Sequence, residues 1–312
     1  MERLDSGSAV PPHLRGAIVA LGNFDGFHLG HQAVAGRAVE WAKAEGRPAI
    51  IATFDPHPVR HFFPNLPPFR LTTLDQRQRI FGEAGADAML VFHFDDKLAA
   101  TSAEAFVQSL IDDYHAAGVV TGTDFTFGKG RGGNVGLLAQ KGQSLGLRTE
   151  AVEPVLLDGE IVSSSRIREA LQTGDCATAA QFMTRPFAVE GMVQHGDKVG
   201  SDIGYPTANI DMGKYLRPAY GIYAIRGCLP GGRIVDGVAN LGIRPMFEPP
   251  KELLEPYFFD FSEDLYGQTV EIEFIQYLRP EAKFDSIEEL TAQIARDCEH
   301  ARQILAATPR LP

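Results

Sequence analysis

The first half of the chain alternates short apolar runs with longer segments whose apolar residues recur every three or four positions. Residues 16–22 (GAIVALG), 47–54 (RPAIIATF), 88–94 (AMLVFHF), 118–122 (GVVTG) and 147–155 (LRTEAVEPV) read as strands. Helices are predicted over about 30–45, 74–84, 103–116 and 135–145. Apolar strands alternating with helices predict βαβ units and a parallel sheet covered on both faces. Ligands on such sheets bind beyond the carboxyl ends of the strands.

The pattern changes after Phe182. Strand-like runs follow at 187–196, 221–229, 233–243, 255–261 and 269–278, separated by turn-formers such as LPGG and LYGQ. Many short strands with Gly/Pro turns predict an antiparallel sheet or small barrel. One helix closes the chain. Ser286 and Glu289 have capping-box spacing at its start, and Ile287, Leu290, Ile294, Ala301 and Leu305 lie on or near one face. The expected domains are 1–183, α/β, and 184–312, an antiparallel β-barrel with a terminal helix.

A length of 312 residues suits two domains. The formal net charge is −11, and both halves carry an acidic excess. No nucleic-acid partner is expected, since such domains normally show a basic face; a local pocket for a small anion stays open. Cys176, Cys228 and Cys298 are too few and too scattered for a disulfide framework or structural zinc. They fit a reducing compartment. The N-terminus has no apolar core of a signal peptide, and no apolar run approaches the roughly 20 residues that span a bilayer. A cytoplasmic protein without membrane partners is expected, and a weak homo-oligomer is compatible with the sequence.

The candidate chemistry begins in GNFDGFHLGH, residues 22–31, where the first long strand turns into a helix. His28 and His31 lie one helical turn apart. Backbone N–H groups at a helix start favour anions, and imidazoles add donors for charge developing on a phosphate. Gly22 and Gly26 suit a tight turn, Gly30 is expected to keep a Cβ away from the ligand, and Asn23 offers an amide. A surface loop and a zinc site are the competing readings. Zinc needs a third ligand, and no Glu or Cys stands at a fitting offset nearby. The glycines at 128, 130 and 133 formally satisfy G-x-G-x-x-G, but a dinucleotide fingerprint should open the helix after the first strand.

GNFDGFHLGH resembles the HxGH motif of the nucleotidylyltransferase superfamily, in the form found in the bacterial bifunctional riboflavin kinase/FAD synthetases. The resemblance implies a Rossmann-like nucleotidylyltransferase sheet in which His28 and His31 stabilise the α-phosphate of ATP as pyrophosphate leaves. It assigns Gly22, Asn23, Phe24, Asp25 and Gly30 to the ATP phosphates. TFDPHP (53–58) is similar to the family's loop after the second strand, and GTDFTFGKGRGGN (122–134) to a segment beside nucleotide and flavin. These imply flavin contacts at Asp55, His57, Asp124, Phe125, Phe127 and Asn134. SSSRIREAL (163–171) resembles the family's SS(T/S)xIR motif, which implies phosphate donors at Ser164, Ser165 and Arg168.

HGDKVGSDIGYPTANI (195–210) suggests a glycine-rich phosphate loop, with Lys198 adding charge, ahead of a strand carrying Thr207 and Asn209. A hydroxyl and an amide carbonyl are hard oxygens suited to Mg²⁺ held with ATP; a hairpin with polar edge residues is the plain alternative. The string resembles the G-x-P-T-A-N motif of riboflavin kinases. That implies nucleotide contacts at Gly196, Lys198 and Gly204, and Mg²⁺ ligands at Thr207 and Asn209. Further blocks at 216–224, 238–245, 253–268 and 278–290 follow in family order and align Glu255 with the kinase's catalytic base. Met246 stands where the family commonly has Thr, and Pro256 is expected to remove a strand hydrogen bond beside the base.

The resemblance therefore implies two ATP-dependent steps, riboflavin to FMN and FMN to FAD, with Mg²⁺ serving both. An adenylyltransferase whose barrel only holds flavin, a related cytidylyltransferase and a non-enzymatic carrier are the rivals.

Overall fold

The computed structural model describes residues 1–194, 204–244 and 251–309. The chain forms two compact units, Met1–Pro67 with Thr72–Ser163, and Pro68–Leu71 with Ser164–Pro312. The units part at Ser163, upstream of the expected 183/184 line, so the helices between those points group with the barrel.

The first unit runs β1 (Glu2–Asp5), β2 (Ile18–Leu21), α1 (Leu29–Ala44), β3 (Ala49–Asp55), α2 (Pro58–Phe62), α3 (Leu74–Glu83), β4 (Ala88–His93), α4 (Asp96–Ala100), α5 (Ala103–Asp112) and β5 (Gly118–Gly122). It continues with β6 (Thr126–Phe127), β7 (Gly133–Asn134), α6 (Val135–Leu145), β8 (Arg148–Val152), β9 (Leu156–Leu157) and β10 (Glu160–Ile161). Six strands form a parallel sheet in the order β1-β4-β3-β2-β5-β8. Strand period two sends Val19, Leu21, Ile50, Ala52, Leu90 and Val119 to one core with α5 and α6. It sends Ile18, Ala20, Ile51, Met89 and Val120 to the other, with α1 and Phe81 of α3.

The predicted parallel sheet and its principal helices are present. The helix expected to reach Ala116 ends at Asp112, because His115 turns the chain into β5 with a left-handed φ of 51°. The strand expected to reach 155 stops at Val152, two residues before Pro154, which has no N–H for a ladder. The following β9–β10 hairpin turns on Asp158 (φ 52°) and Gly159 (φ 81°), the Asp-Gly pairing that suits a two-residue hairpin loop.

The second unit holds α7 (Ser164–Gln172), α8 (Cys176–Met183), β11 (Phe187–Gln194), β12 (Asn209–Asp211), β13 (Gly221–Cys228), β14 (Ile234–Arg244), β15 (Lys251–Phe258), β16 (Thr269–Arg279) and α9 (Ile287–Ala307). The strands close an antiparallel barrel in the order β11-β12-β15-β14-β13-β16. Phe187, Ile210, Tyr223, Leu254 and Phe274 are among its fully or nearly fully buried residues. Ala301 and Leu305 of α9 cover Ala224 and Val238.

Ser286 caps α9 by accepting the Glu289 N–H at 3.2 Å, as expected. The reciprocal half of the cap falls one residue early, since the Glu289 carboxylate takes the Asp285 N–H at 3.2 Å. At the far end, the buried Arg226 of β13 donates to the carbonyls of Leu305, Thr308 and Pro309, a barrel side chain meeting the negative end of the helix.

Within this unit Pro68–Leu71 lies against the chain near Tyr215. The Arg70 N–H donates to the Lys214 carbonyl at 3.3 Å, and the Arg70 carbonyl accepts from Leu216 at 2.8 Å.

Candidate active sites

The parallel sheet reverses strand order between β2 and β5, with β3 and β4 on one side of β2 and β5 and β8 on the other. The crevice beyond the carboxyl ends at such a reversal is where open α/β sheets bind ligands. The GNFDGFHLGH turn leaves β2 at that point. His28 is the N-cap of α1, and its Nδ1 accepts the His31 N–H in a long bond of 3.4 Å. A neutral imidazole that accepts at Nδ1 carries its proton on Nε2. The two rings stack with centroids 3.6 Å apart and planes at 21°. No acidic residue occupies the first turn of α1, so nothing there offsets its attraction for an anion.

Gly30 also matters to the turn itself. A Cβ there would sit 3.2 Å from the His28 ring, so the glycine makes room for the stacked pair. Gly26 takes a left-handed φ of 84°, and Gly22 leaves space for the Phe24 ring. Phe24 itself is buried, with its ring edge-on to His31 at 5.2 Å. Asp25 is also buried, and its Oδ1 accepts from Arg77 Nη2 at 2.8 Å and from the Thr72 N–H at 3.0 Å. The Asn23 carbonyl accepts from the Thr53 hydroxyl at 2.7 Å, while Asn23 Oδ1 is buried with no hydrogen-bond partner among the described residues.

Asp55 ends β3. His57 caps α2 through Nδ1, and Asn134 caps α6 by accepting the Leu137 N–H at 2.9 Å. Phe125 and Phe127 stack with centroids 5.7 Å apart and pack into the core under α5. Asp124 is exposed in the turn after β5.

Ser164 and Ser165 open α7 in the second unit, as the motif spacing predicts a helix start. Arg168 Nε donates to the Phe69 carbonyl at 2.8 Å, and its guanidinium lies over the Phe69 ring.

In the barrel, Glu255 lies mid-strand in β15, because the strand runs from Lys251 rather than from 255. It pairs with Asn240 of β14. On the other side, β12 pairs Ile210 with Leu254, and the ladder continues as Ala208 N–H donates to the Pro256 carbonyl at 2.9 Å. That register sets Asn209 opposite Glu255, so Asn209, Glu255 and Asn240 form one row on one face across three strands. Asn240 Nδ2 donates to Glu281 at 3.3 Å, and Asn240 Oδ1 is buried without a partner among the described residues. Gly242 admits the Glu281 carboxylate, which a Cβ there would meet at 2.2 Å.

The expected loss at Pro256 is not seen in the β14–β15 ladder. Since its carbonyl faces Ala208, its nitrogen faces the same way, toward the start of β12 and away from β14. Thr207 precedes β12 instead of lying within it, and Gly204 turns with φ 85°. Gly196, Lys198 and Met246 lie outside the described residues.

The sequence reading missed Thr53, Thr72 and Arg77 beneath the histidine turn, and Asn240 and Glu281 beside Glu255. A signal existed for Arg77. It interrupts the apolar stripe Leu74, Ile80, Phe81 of α3 with a charge.

Two family models match the chain: FAD synthetase over residues 10–166 and riboflavin kinase over residues 183–305. The Haemophilus influenzae bifunctional riboflavin kinase/FMN adenylyltransferase is 37% identical over 290 residues, covering 93% of this chain and 94% of that protein. The Escherichia coli (strain K12) protein of the same name is 35% identical and covers 94% of each. The Bacillus subtilis one is 35% identical and covers 91% of each. A solved structure described as a macrolide-efflux protein from Streptococcus pneumoniae is similar at a TM-score of 0.87 and 28% identity, covering 97% of this chain and 99% of that one. On fold, motif order and near full-length similarity, the chain belongs to the bifunctional riboflavin kinase/FMN adenylyltransferase family.

Proposed function

We propose that the two activities of the family are divided at 183/184 in this chain, adenylyl transfer on residues 1–183 and phosphoryl transfer on 184–312. Riboflavin, FMN and FAD are the substrates and products that go with this membership. The observation that carries the adenylyl half is the stacked His28–His31 pair at the start of α1, beyond β2 at the reversal of strand order.

In the adenylyl step a phosphate oxygen of FMN attacks the α-phosphorus of ATP, the α–β phosphoanhydride bond breaks, and pyrophosphate leaves. His28 and His31 donate to the α-phosphate as its charge grows. Gly22, Asn23, Gly30 and the α1 N-terminus cradle the phosphates, with Ser164, Ser165 and Arg168 as further donors. Phe24 and Asp25 act through the turn they hold, since both side chains are buried in it. Asp55, His57, Asp124, Phe125, Phe127 and Asn134 form the flavin side.

In the kinase step the 5′-hydroxyl oxygen of riboflavin attacks the γ-phosphorus of ATP, the bond to ADP breaks, and Glu255 takes the hydroxyl proton. Gly196, Lys198 and Gly204 contact the nucleotide. Among the described residues no three His, Cys, Asp or Glu are grouped to hold a metal. Mg²⁺ carried on ATP phosphates needs only one or two protein oxygens, which Thr207 and Asn209 would supply. Bound there, it screens phosphate charge.

No helix of the described residues is long and apolar enough to cross a membrane. The acidic composition and scattered thiols support a cytoplasmic protein without nucleic-acid or membrane partners, and a weak homo-oligomer is compatible with the reading.

Incubation with riboflavin and ATP, with and without EDTA, tests the whole. FMN then FAD should appear with Mg²⁺ and neither without it. FAD made from added FMN, with no FMN made from riboflavin, would leave only the adenylyl half.

A further inference from the structure

We propose that Arg77 is a positioning residue for adenylyl transfer, acting through the turn that carries His28 and His31. The inference rests on reading that turn as the adenylyl site. Arg77 is almost fully buried in α3 and donates from all three nitrogens. Nε reaches the Thr72 hydroxyl at 3.1 Å, and Nη1 reaches the Asn23 carbonyl at 3.2 Å and the Thr53 hydroxyl at 3.1 Å. Nη2 reaches Asp25 at 2.8 Å. The Thr72 hydroxyl in turn accepts the Gly26 N–H at 3.0 Å. One planar fork therefore ties Asn23, Asp25 and, through Thr72, Gly26 to the end of β3 and to α3.

The tied segment needs holding. Phe24 and Phe27 have left-handed φ values of 49° and 41°, a conformation that bulky residues keep only when their surroundings impose it. Both rings pack on Phe81, one turn beyond Arg77 on the same helix. Helix α3 thus fixes the turn by a polar fork and an apolar contact, and the turn fixes where the His28 ring begins α1. Lysine could keep the charge opposite Asp25 but not the fork.

The test compares Arg77→Lys, the double variant Asp25→Asn/Arg77→Met, and His28→Ala, measuring FMN formation and FAD formation separately in the full chain. The double variant removes both buried charges together, which folds commonly tolerate. Both Arg77 variants should form FMN at the parental rate and lose about 10²-fold in kcat for FAD formation, with the KM for ATP nearly unchanged. Parental FAD kcat in both, beside an inactive His28→Ala, would overturn the role of Arg77 alone. Loss of both activities in both Arg77 variants would make Arg77 a folding residue and equally overturn it, as would a change confined to KM. Normal FAD formation by His28→Ala would overturn the site reading, and the inference with it.

Discussion

Asn240 of β14 and Glu255 of β15 stand directly opposite each other, with Asn209 continuing the row on the far side of Glu255. The proposed base is therefore flanked by two amides on neighbouring strands, in the part of the barrel where Thr207 precedes β12. Replacing Glu255 with Gln keeps the shape of the row and removes the proton acceptor. FMN formation should fall about 10²- to 10⁴-fold, while FAD formation from added FMN continues. A riboflavin-to-FMN rate within a few-fold of the parent would exclude Glu255 as the base.

Asn240→Ala should act differently. The buried Asn240 Oδ1 has no partner among the described residues, which suits an acceptor for a substrate hydroxyl. Its loss should raise the KM for riboflavin about fivefold, the value of one ordinary hydrogen bond, with kcat reduced less. An unchanged KM would assign the amide to holding Glu281 alone.

His28→Ala and His31→Ala should each lower kcat for FAD formation about 10²- to 10³-fold and leave FMN formation intact. Steady-state assays of the two products on one preparation decide it, because misfolding confined to neither unit would depress both.

A surface cluster makes an acid-stability prediction. Hydrogen bonds from Arg148, then Trp41, hold the Glu45 carboxyl down from the ordinary 4.5 to about 2. The folded state favours the ionised form, so its stabilisation is fully present above pH 4.5 and fades as pH falls toward about 2. Glu45→Gln should flatten the fall of Tm across that window. The difference should shrink in high salt, since the carboxylate is partly open to water. Parallel curves for parent and variant would show that the cluster contributes nothing.

The parallel sheet, the antiparallel strands and the main helices were legible because each carries its period in its apolar residues; the period left a sheet or a small barrel open, and the family resemblance decided for the barrel. The elements missed are short or polar. β1 has one buried residue, Leu4, and owes its place to pairing with β4. α2 and α4 each span five residues with none buried. For the candidate sites, motif spacing pointed to His28, His31 and Asn209, and the family resemblance to Glu255. It could not reveal that Asp25 turns inward, because its partner Arg77 lies far along the chain. Nor could it find Asn240, whose meaning comes from the register of β14 on β15. Gly30 was legible as a need for space, and the fold adds that a Cβ there would also press on the His28 ring.

The path of Pro68–Leu71 bears on how this enzyme can be dissected. A kinase fragment started at 184 keeps every barrel strand yet leaves behind α7, α8 and the segment hydrogen-bonded beside Tyr215. It would also uncover the Tyr277 ring now covered by Gly174. No single scission of the polypeptide separates the two compact units, since each of them is assembled from two stretches of sequence. An intact barrel unit therefore has to be made either by co-expressing a peptide spanning 68–71 or by splicing that peptide onto the fragment.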